Sequence, residues 1–129
     1  MRELKISKVY HHFKGNDYLV VGIAEYIDEF YSEHNIVEGV VLVDEFYTWH
    51  TEKDERQLIF RDTMNRYWHT DIEHIGEEMV VYKPLQREIG DKKCFIREIN
   101  MFLSEVDKEK YPDVKQQYRF EEINIKSIK

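Results

Sequence analysis

The chain has 129 residues, a formal net charge of −7, a single cysteine and an aromatic content of 14%. This length predicts a single domain spanning 1–129, and the aromatic content argues against disorder although 35% of the residues are charged. The negative charge makes non-specific nucleic-acid binding unlikely, because such binding needs clustered lysine and arginine.

Location is predicted from the cysteine and from the apolar runs. A lone cysteine, Cys94, suits a reducing cytoplasm. The first eight residues contain no apolar segment of the signal-peptide type, and no apolar run reaches the roughly 18 residues of a membrane span. We therefore expect a cytoplasmic protein with no membrane partner.

Short β-rich runs separated by polar turns dominate the chain. The first two predicted strands, 8–13 and 18–24, flank a Gly15-Asn16 step that predicts a tight hairpin with a positive φ at Gly15. Further strands are predicted at 39–49, 57–61, 78–82, 94–97 and 118–120. Short strands at this spacing predict a mainly β fold, either a small antiparallel β-barrel or roll or a sandwich.

Two segments have helical features. In 24–34, Ile27, Phe30 and Tyr31 follow the i, i+3, i+4 spacing of a helix face. In 106–118, a run of alternating charges precedes Pro112, which breaks helices. We expect a short helical piece near 107–117, with a turn or two on either side of a kink.

The histidines before the first turn allow two interpretations. Alternation places His11 and Phe13 on one face of the strand, and His12 and Lys14 on the other. The first interpretation is a half-buried structural histidine beside Phe13. The second is a groove flanked by His12 and Lys14 that receives an anionic or polar ligand.

The middle of the chain contains a weak internal echo. The WHTE segment at 49–52 resembles the WHTD segment at 68–71, and 28–34 resembles 44–50. The offsets, nineteen and sixteen residues, exclude a regular solenoid. A small local duplication, in which each copy is a strand ending in an acidic turn, and coincidence both stay open.

Histidines and acids near these segments have the residue types of metal ligands. His50 and Glu52 could share one strand face, as could His69 and Asp71, with His74 nearby. A charge-rich turn explains the same residues, and the established metal motifs are missing from the sequence. We therefore expect no metal and no cofactor.

Sequence motifs for catalysis are also missing. There is no GxSxG nucleophile elbow and no glycine-rich phosphate loop. Cys94 lies within an apolar run, where a thiol is expected to be an inert part of the core. We assign no catalytic residue.

Three motifs in order along the chain carry a family resemblance. They are YHHFKGNDYLVVGIA at 10–24, VVY at 80–82 and REINMFLSEVDKEKYPDVKQQYRFE at 97–121. Together they resemble a small bacterial family of unknown function, domain of unknown function 1653. The resemblance implies a small SH3-like β-barrel or roll and no established activity.

The middle of the chain departs from the family pattern. Family members pass from the second strand through a short His-Thr-Glu-Thr-like turn directly to Val-Val-Tyr, whereas about forty extra residues intervene here. The departure predicts an insertion or elaboration within 25–78. The family turn and strand match 50–60 as well as 69–82, and the choice stays open.

We expect a non-catalytic binding or interaction module whose partner is a protein or a small anionic ligand. The candidate ligand-binding residues are His12, Lys14, Tyr18, Tyr82 and Arg97. The alternative is a small enzyme or regulator acting on a nucleotide-like or other anionic metabolite.

Arg97 is the central residue of this predicted surface. Because it shares a strand face with Phe95, we expect it at the rim of the barrel, with its stem packed and its guanidinium able to reach water or an anion. The alternative is a buried ion pair with an acid such as Glu105 or Glu121.

Overall fold

The computed structural model describes residues 2–85 and 94–123. These residues form a mostly β structure with two short α-helices. The strands are β1 (Val9–His12), β2 (Asp17–Tyr26), β3 (Ile36–Val37), β4 (Val40–His50), β5 (Glu55–Asp62), β6 (Tyr67–His69), β7 (Met79–Pro84), β8 (Phe95–Glu98) and β9 (Phe120–Ile123). The helices are α1 (Glu29–Glu33) and α2 (Ile99–Phe102), and Ile72–His74 forms one 3-10 turn.

A tight turn joins β1 to β2, as the sequence predicts. The N–H of His12 donates to the carbonyl of Asn16, and the N–H of Gly15 donates to the carbonyl of His12, both at 2.8 Å. Gly15 has a φ of +114°, which confirms the predicted positive value. His11 and Asp17 then pair across the hairpin, with 2.6 Å between Nδ1 and Oδ1.

Six of the described strands form a closed, barrel-like ring of hydrogen-bonded neighbours. The order is β2, β7, β8, β4, β5 and β6, and β6 pairs back to β2. Outside the ring, β1 pairs with the N-terminal part of β2, and β9 pairs with β1. The predicted mainly β fold is confirmed.

Two pairings in the ring are parallel, whereas we expected antiparallel neighbours. They join β2 to β6 at Ala24↔Tyr67 and β4 to β8 at Trp49↔Phe95. Alternation along a strand fixes which face a side chain occupies and carries no information about the direction of the neighbouring strand. The sheet is therefore mixed.

The segment 25–78, in which we predicted an insertion or elaboration, supplies three strands of the ring. In it, β4 and β5 form a long hairpin, from Leu42↔Asp62 to His50↔Glu55, and β6 pairs with β5. The predicted helix at 24–34 is limited to α1, capped by the Asp28 side chain, because 24–26 continues β2. This segment is thus part of the sheet, and its origin as an insertion stays a prediction.

The core lies on both faces of β7. Alternate side chains of this strand enter two apolar clusters, which fits a buried strand with a continuous apolar run. The first cluster contains Tyr10, Val20, Val80, Tyr82, Phe102 and Phe120. The second contains Ala24, Ile59, Met79, Val81 and Ile96, with half-buried Cys94 packed against it.

A short helix near the C-terminus is confirmed, but it precedes 107–117. This helix, α2, begins after Glu98, whose carboxylate accepts the N–H groups of Asn100 and Met101, each at 3.1 Å. The segment 107–117 forms turns instead. One i→i+4 hydrogen bond forms in it, from the N–H of Tyr111 to the carbonyl of Asp107. The next residue, Pro112, has no N–H to continue a helix.

Among the described residues, none of the helices is both long enough and apolar enough to span a membrane.

Candidate ligand-binding site

A cavity of about 460 Å³ lies between the β1–β2 turn, the β4–β5 turn, β8 and the segment 107–119. The charged residues that line it are Lys14, Glu52, Arg97, Asp107, Lys110 and Arg119. The other lining residues are His12, Phe13, Thr51 and Tyr111. Four cationic side chains thus meet two acidic ones in a protein whose net charge is −7.

Three of the five predicted binding residues, His12, Lys14 and Arg97, line this cavity. The other two, Tyr18 and Tyr82, lie behind it in an aromatic cluster, where their ring centroids are 5.3 Å apart. Tyr82 is only 2% exposed. The structure thus brings the five residues together in two layers, and their role in binding stays a prediction.

Arg97 lies at the rim of the cavity with its side chain 14% exposed. Its Nε donates to Oγ1 of Thr51 at 3.0 Å and lies 3.4 Å from Oε1 of Glu52. The acidic partner is therefore Glu52, which follows β4, rather than Glu105 or Glu121. Those two carboxylates instead accept hydrogen bonds from Gln117.

Three cations of the cavity have no carboxylate partner within 4 Å in the part of the chain that the structure describes. They are Lys14, Lys110 and Arg119. The Nε of Arg119 is also buried and makes no hydrogen bond with the described residues. Oδ1 of Asp107 accepts the N–H of Glu109 at 3.0 Å, and the four cations of the lining outnumber its two carboxylates. The cavity therefore presents uncompensated positive charge.

Two aromatic rings form one wall of the cavity. The centroids of Phe13 and Tyr111 are 5.0 Å apart in an edge-to-face arrangement. The ammonium groups of Lys14 and Lys110 lie 5.6 and 5.5 Å from the centroid of Tyr111. Desolvation raises the pKa of Tyr111, but hydrogen bonding from Lys14 and both lysine charges outweigh it and lower the pKa.

His12 is the neutral polar group at the base of the cavity. Burial lowers its pKa to about 4, and the charges of Arg97 and Lys14 act in the same direction. Its Nδ1 accepts the N–H of Lys14 at 3.3 Å, so its Nε2 carries the proton and is a donor. The ring also packs 4.6 Å from the centroid of Phe120.

A second group of polar side chains lies where β4 and β6 end. We call His50, Asp71 and His74 the histidine cluster. The Nε2 of His50 is 3.5 Å from Oδ2 of Asp71, and the Nε2 of His74 is 3.9 Å from the same oxygen. The two imidazole centroids are 5.6 Å apart. Two nitrogens and one carboxylate oxygen are ligand types that suit a metal ion.

His69 lies beside this cluster but uses both ring nitrogens for structure. Its Nδ1 accepts the N–H of Asp71 at 3.1 Å, and its Nε2 donates to the carbonyl of Glu77 at 2.7 Å. Burial lowers the pKa of His69 and also that of His50, despite the opposing charge of Asp71. Of His69 and Asp71, which we predicted to share a strand face, only Asp71 belongs to the histidine cluster.

Lys53 holds the outer oxygen of Asp71. Its Nζ is 2.8 Å from Oδ1 of Asp71 and 3.2 Å from Oε1 of Glu73. Desolvation raises the pKa of Asp71, but hydrogen bonds from Lys53 and from the N–H of Glu73 outweigh it and lower the pKa. Asp71 is therefore an ionised carboxylate in a buried position.

Two of the echoing segments contribute to the cluster, since 49–52 lies where β4 ends at His50 and 68–71 lies where β6 ends at His69. The prediction that each copy is a strand ending in an acidic turn is wrong for 28–34, which contains α1. The predicted shared face of His50 and Glu52 is wrong, since His50 is buried and Glu52 turns toward Arg97. Strand direction changes at the turn after His50, which ends the alternation.

The structure thus defines a mostly β protein with a basic cavity beside a buried histidine cluster. The predicted family resemblance is confirmed, since residues 66–122 match the family model described as Protein of unknown function (DUF1653). The matched part includes 69–82 and Arg97, whereas the hairpin motif at 10–24 precedes it. Searches of curated proteins and of solved structures each gave no significant match.

Proposed function

We propose that this protein is a non-catalytic binding module whose cavity takes a small anionic molecule that also carries a flat ring. The observation that carries the proposal is the convergence of Lys14, Lys110 and Arg119, none of which pairs with a described carboxylate. Clustered cations repel one another, and a bound anion would relieve that repulsion.

The hydrogen-bond donors in the cavity fit an anionic group. Arg97 is fixed through its Nε by Thr51 and Glu52 and also has a hydrogen bond with Tyr82, so it holds a planar cationic group at the rim of the cavity. His12 is neutral and offers its Nε2–H as a further donor. A preorganised set of donors of this kind supports phosphate or carboxylate recognition.

The wall formed by Phe13 and Tyr111 favours a ligand with a planar part. Aromatic side chains contact planar groups through stacked or edge-to-face arrangements, each worth about 0.5–1.5 kcal/mol beyond area burial. A cavity of about 460 Å³ has room for a ligand of nucleotide size. Adenosine monophosphate is therefore a suitable probe, because it combines an anionic group with a flat ring.

Calorimetric titration tests the proposal with adenosine monophosphate, adenosine and inorganic phosphate as probes. We expect adenosine monophosphate to bind more tightly than either part alone, and its affinity to fall as salt rises. Arg119→Gln and Lys110→Gln should each weaken binding about tenfold or more, since each removes a charge-assisted contact.

Lys115→Gln is the matched control, because Lys115 is exposed on the same segment and does not line the cavity. An equal loss of affinity in this variant would show a general charge effect. No saturable binding of any probe would exclude this ligand class. The alternative of an enzyme is tested by chromatography of the incubated nucleotide, which we expect to be recovered unchanged.

A further inference from the structure

We propose that His50, Asp71 and His74 bind a divalent transition-metal ion of the zinc type. None of these three residues lines the basic cavity, and the inference does not depend on the proposed ligand. We predicted no metal from the sequence, because a charge-rich turn explains these residue types and the established metal motifs are missing. His50 lies in a different segment from Asp71 and His74. The fold brings them together at the ends of two strands.

The spacing of the ligand atoms is close to that of a metal site. His50, Asp71 and His74 each offer one ligand atom, and the three atoms lie within 4.8 Å of one another. Two of the separations are 3.5 and 3.9 Å. Four-coordinate zinc with bonds of about 2.0–2.1 Å holds its ligand atoms roughly 3.4 Å apart. A small inward movement therefore completes the geometry.

Burial supplies a second and independent observation. The side chains of His50 and Asp71 are 0% and 2% exposed. The Nε2 of His50 and the Oδ2 of Asp71 are buried and make no hydrogen bond with any described residue. A buried polar atom without a partner costs about 1–3 kcal/mol. These two atoms face each other, and one cation between them would satisfy both.

The surrounding contacts are those that orient metal ligands. The Nδ1 of His74 pairs with the carboxylate of Glu77, which leaves Nε2 directed at Asp71. Oδ1 of Asp71 is held by Lys53 and by the N–H of Glu73, so Oδ2 is the oxygen available to the metal. His74 is thus held through its Nδ1 and Asp71 through its Oδ1, the atoms that would not bind the metal.

His50 must carry its proton on Nδ1 to bind the metal through Nε2. Metal binding therefore breaks the 3.4 Å contact that Nδ1 accepts from the N–H of Lys53, because a protonated Nδ1 is itself a donor. That contact is longer than an ordinary hydrogen bond, so little is lost.

Charge and ligand type indicate the class of ion. Besides Asp71, the carboxylates of Glu55, Glu73 and Glu77 lie near the cluster, and Lys53 is the one lysine or arginine that pairs with them among the described residues. Two imidazoles with one carboxylate suit zinc, cobalt or nickel, whereas calcium and magnesium prefer all-oxygen sites. His74 is 21% exposed, so a fourth position on its side is open to water.

Titration of tag-free, chelator-treated protein with zinc chloride tests the inference. We expect saturable one-to-one binding by calorimetry and a rise in melting temperature that the chelator reverses. Cobalt should give the visible absorption of a four-coordinate site, and magnesium should give no binding. His74→Ala should weaken zinc binding at least about a hundredfold, and Glu77→Gln about tenfold, the scale of second-shell losses.

His34→Gln is the control, because His34 is an exposed histidine at the end of α1. His74 is partly exposed, so its replacement leaves the core intact, which circular dichroism checks. Absence of saturable zinc binding by the wild-type protein would overturn the inference. So would zinc binding that is unchanged in His74→Ala or lost equally in His34→Gln.

Discussion

The Nε of Arg97 donates a hydrogen bond to Oγ1 of Thr51 at 3.0 Å, and this contact joins β8 to the turn after β4. The residue before Thr51 is His50, which is fully buried and faces Asp71. The turn at 51–54 therefore contributes to both the basic cavity and the histidine cluster. Two neighbouring residues on one strand end serve two different sites.

Replacement of Arg97 tests how much this contact contributes to stability. Arg97→Leu should lower the free energy of unfolding by about 1–3 kcal/mol, because the Thr51 hydroxyl and the Glu52 carboxylate lose their guanidinium partner. For a chain of this length each kcal/mol lowers the melting temperature by roughly 3–5 °C. Chemical denaturation measures the change.

Arg97→Lys is the matched comparison, since it keeps the charge and removes the planar fork. We expect it to be intermediate in stability and to weaken binding of adenosine monophosphate. Complete unfolding of Arg97→Leu would instead identify the Arg97–Glu52 pair as a buried structural ion pair and would remove Arg97 from the proposed binding surface.

Local features of the fold could be predicted because they depend on neighbouring residues. The positive φ of Gly15 follows from the turn sequence, and the strand 78–82 follows from its continuous apolar run. The short strand β6, only Tyr67–His69, was not predicted, because three residues show no periodicity. A single domain with an insertion in 25–78 stays a prediction.

The sites were less predictable, because each depends on contacts between distant segments. His12 and Arg97 were selected from the family motif and alternation. Lys110 instead comes from a segment that we predicted to be helical, and Arg119 from one that we predicted to be a short strand. The pairing of His50 with Asp71 depends on how β4 and β6 align across β5. Residue types in one sequence do not specify that alignment.

Gly15 provides a test of the hairpin. Gly15→Ala should lower the free energy of unfolding by about 1 kcal/mol, because a residue with a Cβ disfavours a φ of +114°. A Cβ at this position meets no atom within 4 Å, so the cost comes from the backbone alone. Asn16→Ala, in the same turn, should stay within about 0.5 kcal/mol. An unchanged denaturation midpoint for Gly15→Ala would contradict this account.

Asp62 provides a test of a buried carboxylate at the end of β5. It is 0% exposed and accepts from the Trp68 indole at 2.9 Å, from the N–H of Met64 at 2.8 Å and from the N–H of Arg66 at 3.0 Å. Desolvation raises the pKa of Asp62, but these donors outweigh it and lower the pKa. Asp62→Ala should cost about 3–5 kcal/mol, because it leaves buried donors unpaired.

Asp44→Ala is the control for Asp62, because Asp44 is an exposed carboxylate 3.7 Å from Arg61 on the same hairpin. It should cost less than about 1 kcal/mol. Because the pKa of Asp62 is lower in the folded protein, its contribution to stability is present above the unfolded-state pKa of 3.8. That contribution is lost as the pH falls through the folded-state pKa. Equal losses in the two variants would show that the buried network adds nothing.

His12 predicts a different pH dependence, because its pKa is lowered from 6.5 to about 4 by burial and by the charges of Arg97 and Lys14. The unfolded chain binds a proton more readily than the folded protein between these two values. The stability contribution of His12 is therefore fully present above the unfolded-state pKa of 6.5 and is lost progressively as the pH falls to about 4.

Two measurements check this prediction. An NMR titration of the His12 ring should give a midpoint at about 4, whereas a midpoint at the ordinary 6.5 would contradict it. His12→Gln keeps a polar side chain that does not titrate. Between about pH 7 and pH 5 it should lose less stability than the wild-type protein, by about 1 kcal/mol, because solvent partly screens a half-buried ring. Since burial also lowers the pKa of His50 and His69, the variant retains part of the acid sensitivity.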